Sequence, residues 1–123
     1  MIYSYSIIEM ASNSDVLITE EFIKLFLYKN YSISNLGRVR NDVTDEFEDL
    51  KLDKEGYLYV KMYGCQNSYK ERIHRLVAKN FVKNVDNHRC VRHLDKNKSN
   101  NKAENLEWYT ATKYVSKSIS VRK

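Results

Sequence analysis

The most constraining feature of this chain is a contrast within its last third. Cys90-Val91-Arg92-His93 and Leu106-Glu107-Trp108-Tyr109 are short, β-prone segments. Between them runs Lys96-Asn97-Lys98-Ser99-Asn100-Asn101-Lys102, which has no apolar residue and can only be a loop. A strand, a long polar loop and a second strand follow from this. Thr110 or Thr112 then stands where it would cap a final helix running toward Ser118.

Upstream, the pattern predicts a small antiparallel sheet. Tyr31-Ser32-Ile33-Ser34 alternates as a strand, and Asn35-Leu36-Gly37 supplies a turn. Arg38-Val39-Arg40 resumes the strand with both arginines on one face. Residues 42–49 are acidic and read as a solvated loop, followed by a short strand at Leu50-Lys51-Leu52. Tyr57–Tyr63 is the best strand of the chain, and a hairpin returns it through Tyr69–Ile73. Leu76, Val77 and Phe81 have helical spacing, which predicts a helix over His74–Phe81. Glu20–Leu27 fits a strand or a helix, and residues 1–19 read as an extension holding a strand and then a turn. The fold class expected is α+β: an N-terminal antiparallel sheet with a short helix over residues 20–84, a ββα motif over 85–118, and a basic tail at 119–123.

Charge is segregated along the chain. Residues 1–56 hold 6 Lys/Arg and 11 Asp/Glu, whereas residues 57–123 hold 15 and 5, within totals of 21 and 16. A basic C-terminal half suits a polyanion partner. The 10 tyrosines suit half-exposed sheets and interfaces. No apolar run is long enough to span a bilayer, and the first residues lack the basic stretch of a signal peptide. With two cysteines, Cys65 and Cys90, the expectation is a reduced intracellular protein that is not secreted.

Three segments together carry a family resemblance. Residues 91–108, from Val91 through His93-Leu94-Asp95 and Asn105-Leu106 to Trp108, follow the pattern His-x-Asp-Gly-Asn-Lys-x-Asn-Asn-x-x-x-Asn-Leu-x-Trp. Ile73-His74-Arg75-Leu76-Val77-Ala78 precedes it, and Tyr31–Arg40 precedes that. In this order they resemble the HNH homing endonucleases of phages and large viruses, with the N-terminal motif that often accompanies the nuclease. The resemblance spans about residues 20–115 and implies a ββα-metal fold, double-stranded DNA as partner and phosphodiester cleavage with Mg²⁺ when active.

Carried over by position, the resemblance makes His93 the base that activates water and Asn105 the residue that holds the loop and helps orient His93. Asp95 braces the turn. Two positions expected to hold the metal carry Arg92 and Tyr114 instead. A guanidinium is always cationic and cannot ligate Mg²⁺, and a protonated phenol is a poor ligand. The Gly expected after Asp95 is replaced by Lys96. Arg92 would then stand as a fixed positive charge in the metal's place, preserving binding while abolishing cutting. The expected DNA contacts are Arg38, Arg40, Arg75, Arg92, Lys96, Lys98 and Lys102.

His74 reads as a structural residue at a helix start. His88 and Cys90 face one way on a strand and His93 the other, so zinc is not expected there. Three functions compete: a DNA-binding protein of HNH type with weak or lost cleavage, an active Mg²⁺-dependent endonuclease, and a protein-interaction module on a nuclease scaffold. Salt-sensitive DNA binding separates the third from the others, and plasmid nicking separates the first two.

Overall fold

Burial alternates along Glu20–Lys24, Leu58–Tyr63 and Cys90–His93, while Tyr31–Ser34 is buried on both faces. In the computed structural model, which describes residues 2–5, 19–64 and 66–110, ten strands and one α-helix form three antiparallel sheets. The first sheet is a meander in chain order: β1 (Ile2–Tyr5), β2 (Glu20–Lys24), β3 (Tyr31–Ser34), β4 (Val39–Asn41) and β5 (Glu46–Phe47). The strand expected within residues 1–19 pairs along its length with β2, from Ile2↔Ile23 to Tyr5↔Glu20. Of the two options for residues 20–27, a strand forms, and Phe22 is buried while Glu21 and Lys24 are exposed.

One expectation is corrected here. The acidic segment 42–49 is not all loop, because Glu46 and Phe47 pair with Asn41 and Arg40 as β5. The turn before it is tight: Asn41 Oδ1 accepts from the Val43 and Thr44 amides, and Asp45 takes a positive φ and binds Arg40. Local turn chemistry thus overrides the polarity of the segment.

The second sheet consists of β6 (Lys51–Leu52), β7 (Leu58–Tyr63) and β8 (Ser68–Arg72). The chain passes from β8 into α1 (Ile73–Phe81) without a break. The third sheet pairs β9 (Cys90–His93) with β10 (Leu106–Tyr109), and a 3₁₀ turn at Ala103–Asn105 precedes β10. The expected final helix, including Thr112, Tyr114 and Ser118, lies outside the described residues.

The helix ties the sheets together. Ile73, Val77 and Ala78 are fully buried and Leu76 nearly so, against Ile33, Val60, Met62, Val91 and Leu106. Trp108 closes the far side, its indole N–H donating to the Val82 carbonyl at 3.0 Å. The N-terminal turn also docks on the polar loop, since the Ala103 amide donates to the Asn35 carbonyl at 2.8 Å. Gly37, at φ +90°, makes this approach possible. A Cβ there would meet the Asn101 Cβ at 3.2 Å and its carbonyl oxygen at 3.3 Å.

Candidate functional site

The loop between β9 and β10 is a closed network of amides around one carboxylate. Asp95 accepts from the Asn97 amide, the Asn100 side chain and the Asn105 side chain at 2.8–2.9 Å. These bonds, that from Asn100 foremost, hold its carboxyl below the usual range. Asn105 works in both directions: its Nδ2 also donates to the Asn100 carbonyl, and its Oδ1 accepts from the Asp95 amide. The residue therefore pins the loop. Lys96 bends the turn with φ +64°, which explains why a glycine suits that position.

His93 lies at the end of β9 beside this loop and is 8% exposed. Its Nε2 is 2.7 Å from Oδ1 of Asn101, itself buried at 4% exposure. In the tautomer that donates from Nε2 to this oxygen, Nδ1 would keep the lone pair a base needs. The contact that orients the imidazole thus comes from Asn101, a residue sequence reasoning did not single out, while Asn105 acts on the loop.

Two further rings complete the surroundings. His74, on the first turn of α1, is 5% exposed, stacks on Tyr57 at 4.8 Å and lies 5.1 Å from the His93 ring. Its Nδ1 is buried with no hydrogen-bond partner, and burial, then His93, Arg75 and Arg72, push its pKa down to about 4. It is a neutral neighbour of His93 at pH 7. Tyr57 is the joint of the site: it also stacks on His93 at 6.1 Å, with Arg72 at 4.4 Å and Lys98 at 4.7 Å from its ring.

Most of the expected DNA-contacting cations already have partners in the protein. Arg38 binds fully buried Glu20 and lies over Phe47, and Arg40 binds Asp45. Arg75 donates to the Arg89 carbonyl and covers Trp108. Lys98 donates to the Glu55 carbonyl at 2.7 Å, latching the loop to the second sheet. Arg92 pairs with Glu107 directly across β10. Lys96 and Lys102 are exposed.

A stronger cationic surface lies on the second sheet. The register aligns Lys51, Tyr59 and Arg72 across the three strands, with Lys61 opposite Lys70 and Tyr63 opposite Ser68. Arg72 is bound to Asp53 and Glu55, whereas Lys51, Lys61 and Lys70 have no ion pair among the described residues. Lysines directly opposite one another repel and destabilise a sheet. A cleft of about 430 Å³ is lined by Lys54, Lys70 and Arg72 together with Leu52, Asp53 and Tyr59.

Arg92 occupies one expected ligand position and is committed to Glu107, and Tyr114 lies outside the described residues. Among the described residues no three His, Cys, Asp or Glu side chains converge to hold a metal, and His88 is bonded to Thr110. Nor is any described helix long and apolar enough to cross a membrane.

Comparison with known proteins finds relatives over most of the chain. Residues 71–113 match the family model for HNH endonuclease. Two uncharacterized HNH endonucleases of Acanthamoeba polyphaga mimivirus, L245 and L247, are 37% and 38% identical over 76% and 75% of this chain. The DNA endonuclease I-HmuI of Bacillus phage SP01 is 31% identical over 66% of it. The chain spans 28%, 24% and 47% of those relatives, less than half of each. A solved structure describing DNA binding and cleavage by the HNH homing endonuclease I-HmuI matches with a TM-score of 0.69 at 28% identity, over 80% of this chain and 57% of that one.

Proposed function

The chain belongs to the HNH endonuclease family, and on that premise we propose that it binds double-stranded DNA and cleaves it weakly or not at all. The observation that carries the binding is the row of Lys51, Lys61 and Lys70 on one sheet face, without an ion pair among the described residues, which leads through Arg72 and Tyr57 to His93. Phosphates of a duplex would release counterions on meeting such a face. His93 and Asn105 then belong to an active-site hook, with Asn101 holding the imidazole.

Weak cleavage follows from Arg92. HNH enzymes use a divalent metal to neutralise charge on the scissile phosphate. Here a guanidinium stands at one of the metal's ligand positions, so fixed positive charge is retained while oxygen donors are not. An active enzyme is the second reading, and it is favoured by the intact bond between His93 and Asn101.

The test is binding of a short labelled duplex across a salt series, with plasmid nicking in Mg²⁺ or Mn²⁺. Binding should weaken steeply with salt, with a log–log slope of at least about 3 for the three lysines. Nicking should be absent or slow enough that only a few per cent of the plasmid is cut by excess protein, and Arg92→Asp combined with Tyr114→Asn should raise it. Salt-insensitive or absent binding would refute the DNA reading, and nicking with multiple turnovers that His93→Ala abolishes would establish the active enzyme instead.

A further inference from the structure

We propose that Glu107 is an internal stand-in for phosphate, holding Arg92 in the free protein and yielding it to a DNA phosphate on binding. The proposal rests on the DNA-binding reading above and adds a mechanism to it. The two residues face each other in register across β9 and β10, and the Arg92 guanidinium donates to the Glu107 carboxylate. Their side chains keep 55% and 44% of their exposure, so neither charge is desolvated. An ion pair that wet is weak, and one oxyanion can replace another with little change in energy.

The guanidinium is also prepared for the exchange. It lies 5.3 Å from the centre of the Tyr109 ring, a contact that keeps it oriented when the carboxylate leaves. Its planar fork accepts phosphate in the same two-pronged geometry as carboxylate. By contrast, Arg38 is held by Glu20, which is fully buried and could not swing away, and Arg72 is gripped by two carboxylates. Arg92 precedes His93 on β9, with its side chain on the exposed face of the strand while the imidazole is buried on the other.

The experiment is a double-mutant cycle on binding of a short labelled duplex, with Glu107→Gln, Arg92→Ala and the pair. Glu104→Gln, an exposed acid on the same segment, controls for loss of one negative charge. Glu107→Gln should tighten binding about two- to fivefold and steepen the salt slope by about one phosphate. In the Arg92→Ala background it should gain no more than Glu104→Gln gives. An equal gain with and without Arg92, or no gain at all, would overturn the exchange while leaving DNA binding in place. Failure of the wild type to bind would fell the DNA reading, and the exchange with it. Both side chains are exposed, so thermal melting of each variant should match the wild type.

Discussion

Acidification should unfold this protein earlier than its carboxylates alone would allow, and His74 is the reason. Its imidazole is 5% exposed, stacked on Tyr57 and without a partner for Nδ1. Its pKa falls from 6.5 to about 4, chiefly through burial, with His93, Arg75 and Arg72 adding repulsion and Asp53 opposing. Between those values the unfolded chain binds a proton that the folded chain refuses. Stability therefore falls as pH drops through that window, at about 1.4 kcal/mol per pH unit at most. Between pH ~7.5 and pH ~4.5 the loss sums to about 2.5 kcal/mol, a large part of the stability of a small domain. The carboxylates of Asp53 and Asp95 are held below their ordinary value, so their own losses come at lower pH. Urea unfolding at several pH values in that window measures the effect. His74→Phe keeps a ring against Tyr57 and removes the titration, so its stability should be flatter across the window by about 2 kcal/mol. If wild type and variant fall in parallel, proton exclusion at His74 is refuted.

Two further outcomes follow from the register and the backbone. Lys61→Ala with Lys70→Ala removes a directly opposed like-charge pair, so urea unfolding should show unchanged stability or a gain of a few tenths of a kcal/mol. The same variant should lose DNA affinity, its salt slope dropping by about two, and an unchanged slope would remove the sheet face from the interface. Lys96→Gly relieves a side chain from φ +64°, so melting should report a gain of about 1 kcal/mol, and a loss would show that Lys96 contributes more than its backbone strain costs.

The hook was legible in the sequence because polarity alone decides it: no other structure tolerates residues 96–102 between two β-prone segments. The strands β3 and β7 were legible from alternation, and α1 from its period. What escaped were facts set by pairing between distant segments. Asn97, Asn100, Asn101 and Asn105 are chemically identical, and it takes the folded loop, with Asn100 and Asn105 bound to Asp95 and Asn101 packed under Gly37, to leave Asn101 as the one whose amide reaches His93. Arg38 had its partner 18 residues away in Glu20, so its shared face with Arg40 was a poor guide to its availability. Lys61 and Lys70 look like two ordinary surface lysines until the β7–β8 register sets them opposite each other.

That opposition is why the sheet face, rather than the arginine pair, is the better candidate for a DNA surface. A folded chain that needed only solubility would spread its lysines or answer them with acids, as Asp53 and Glu55 answer Arg72. Among the described residues Lys51, Lys61 and Lys70 have no acidic partner, and although Lys61 and Lys70 lie over the Tyr63 and Tyr59 rings, their repulsion across the sheet would be relieved by an external polyanion covering the face. Tyr57 then gives that cover a consequence. Its ring lies against Arg72 at the edge of the face, Lys98 of the loop and His93 at the hook, so on the DNA-binding reading proposed above it is the link between the lysine face and the imidazole.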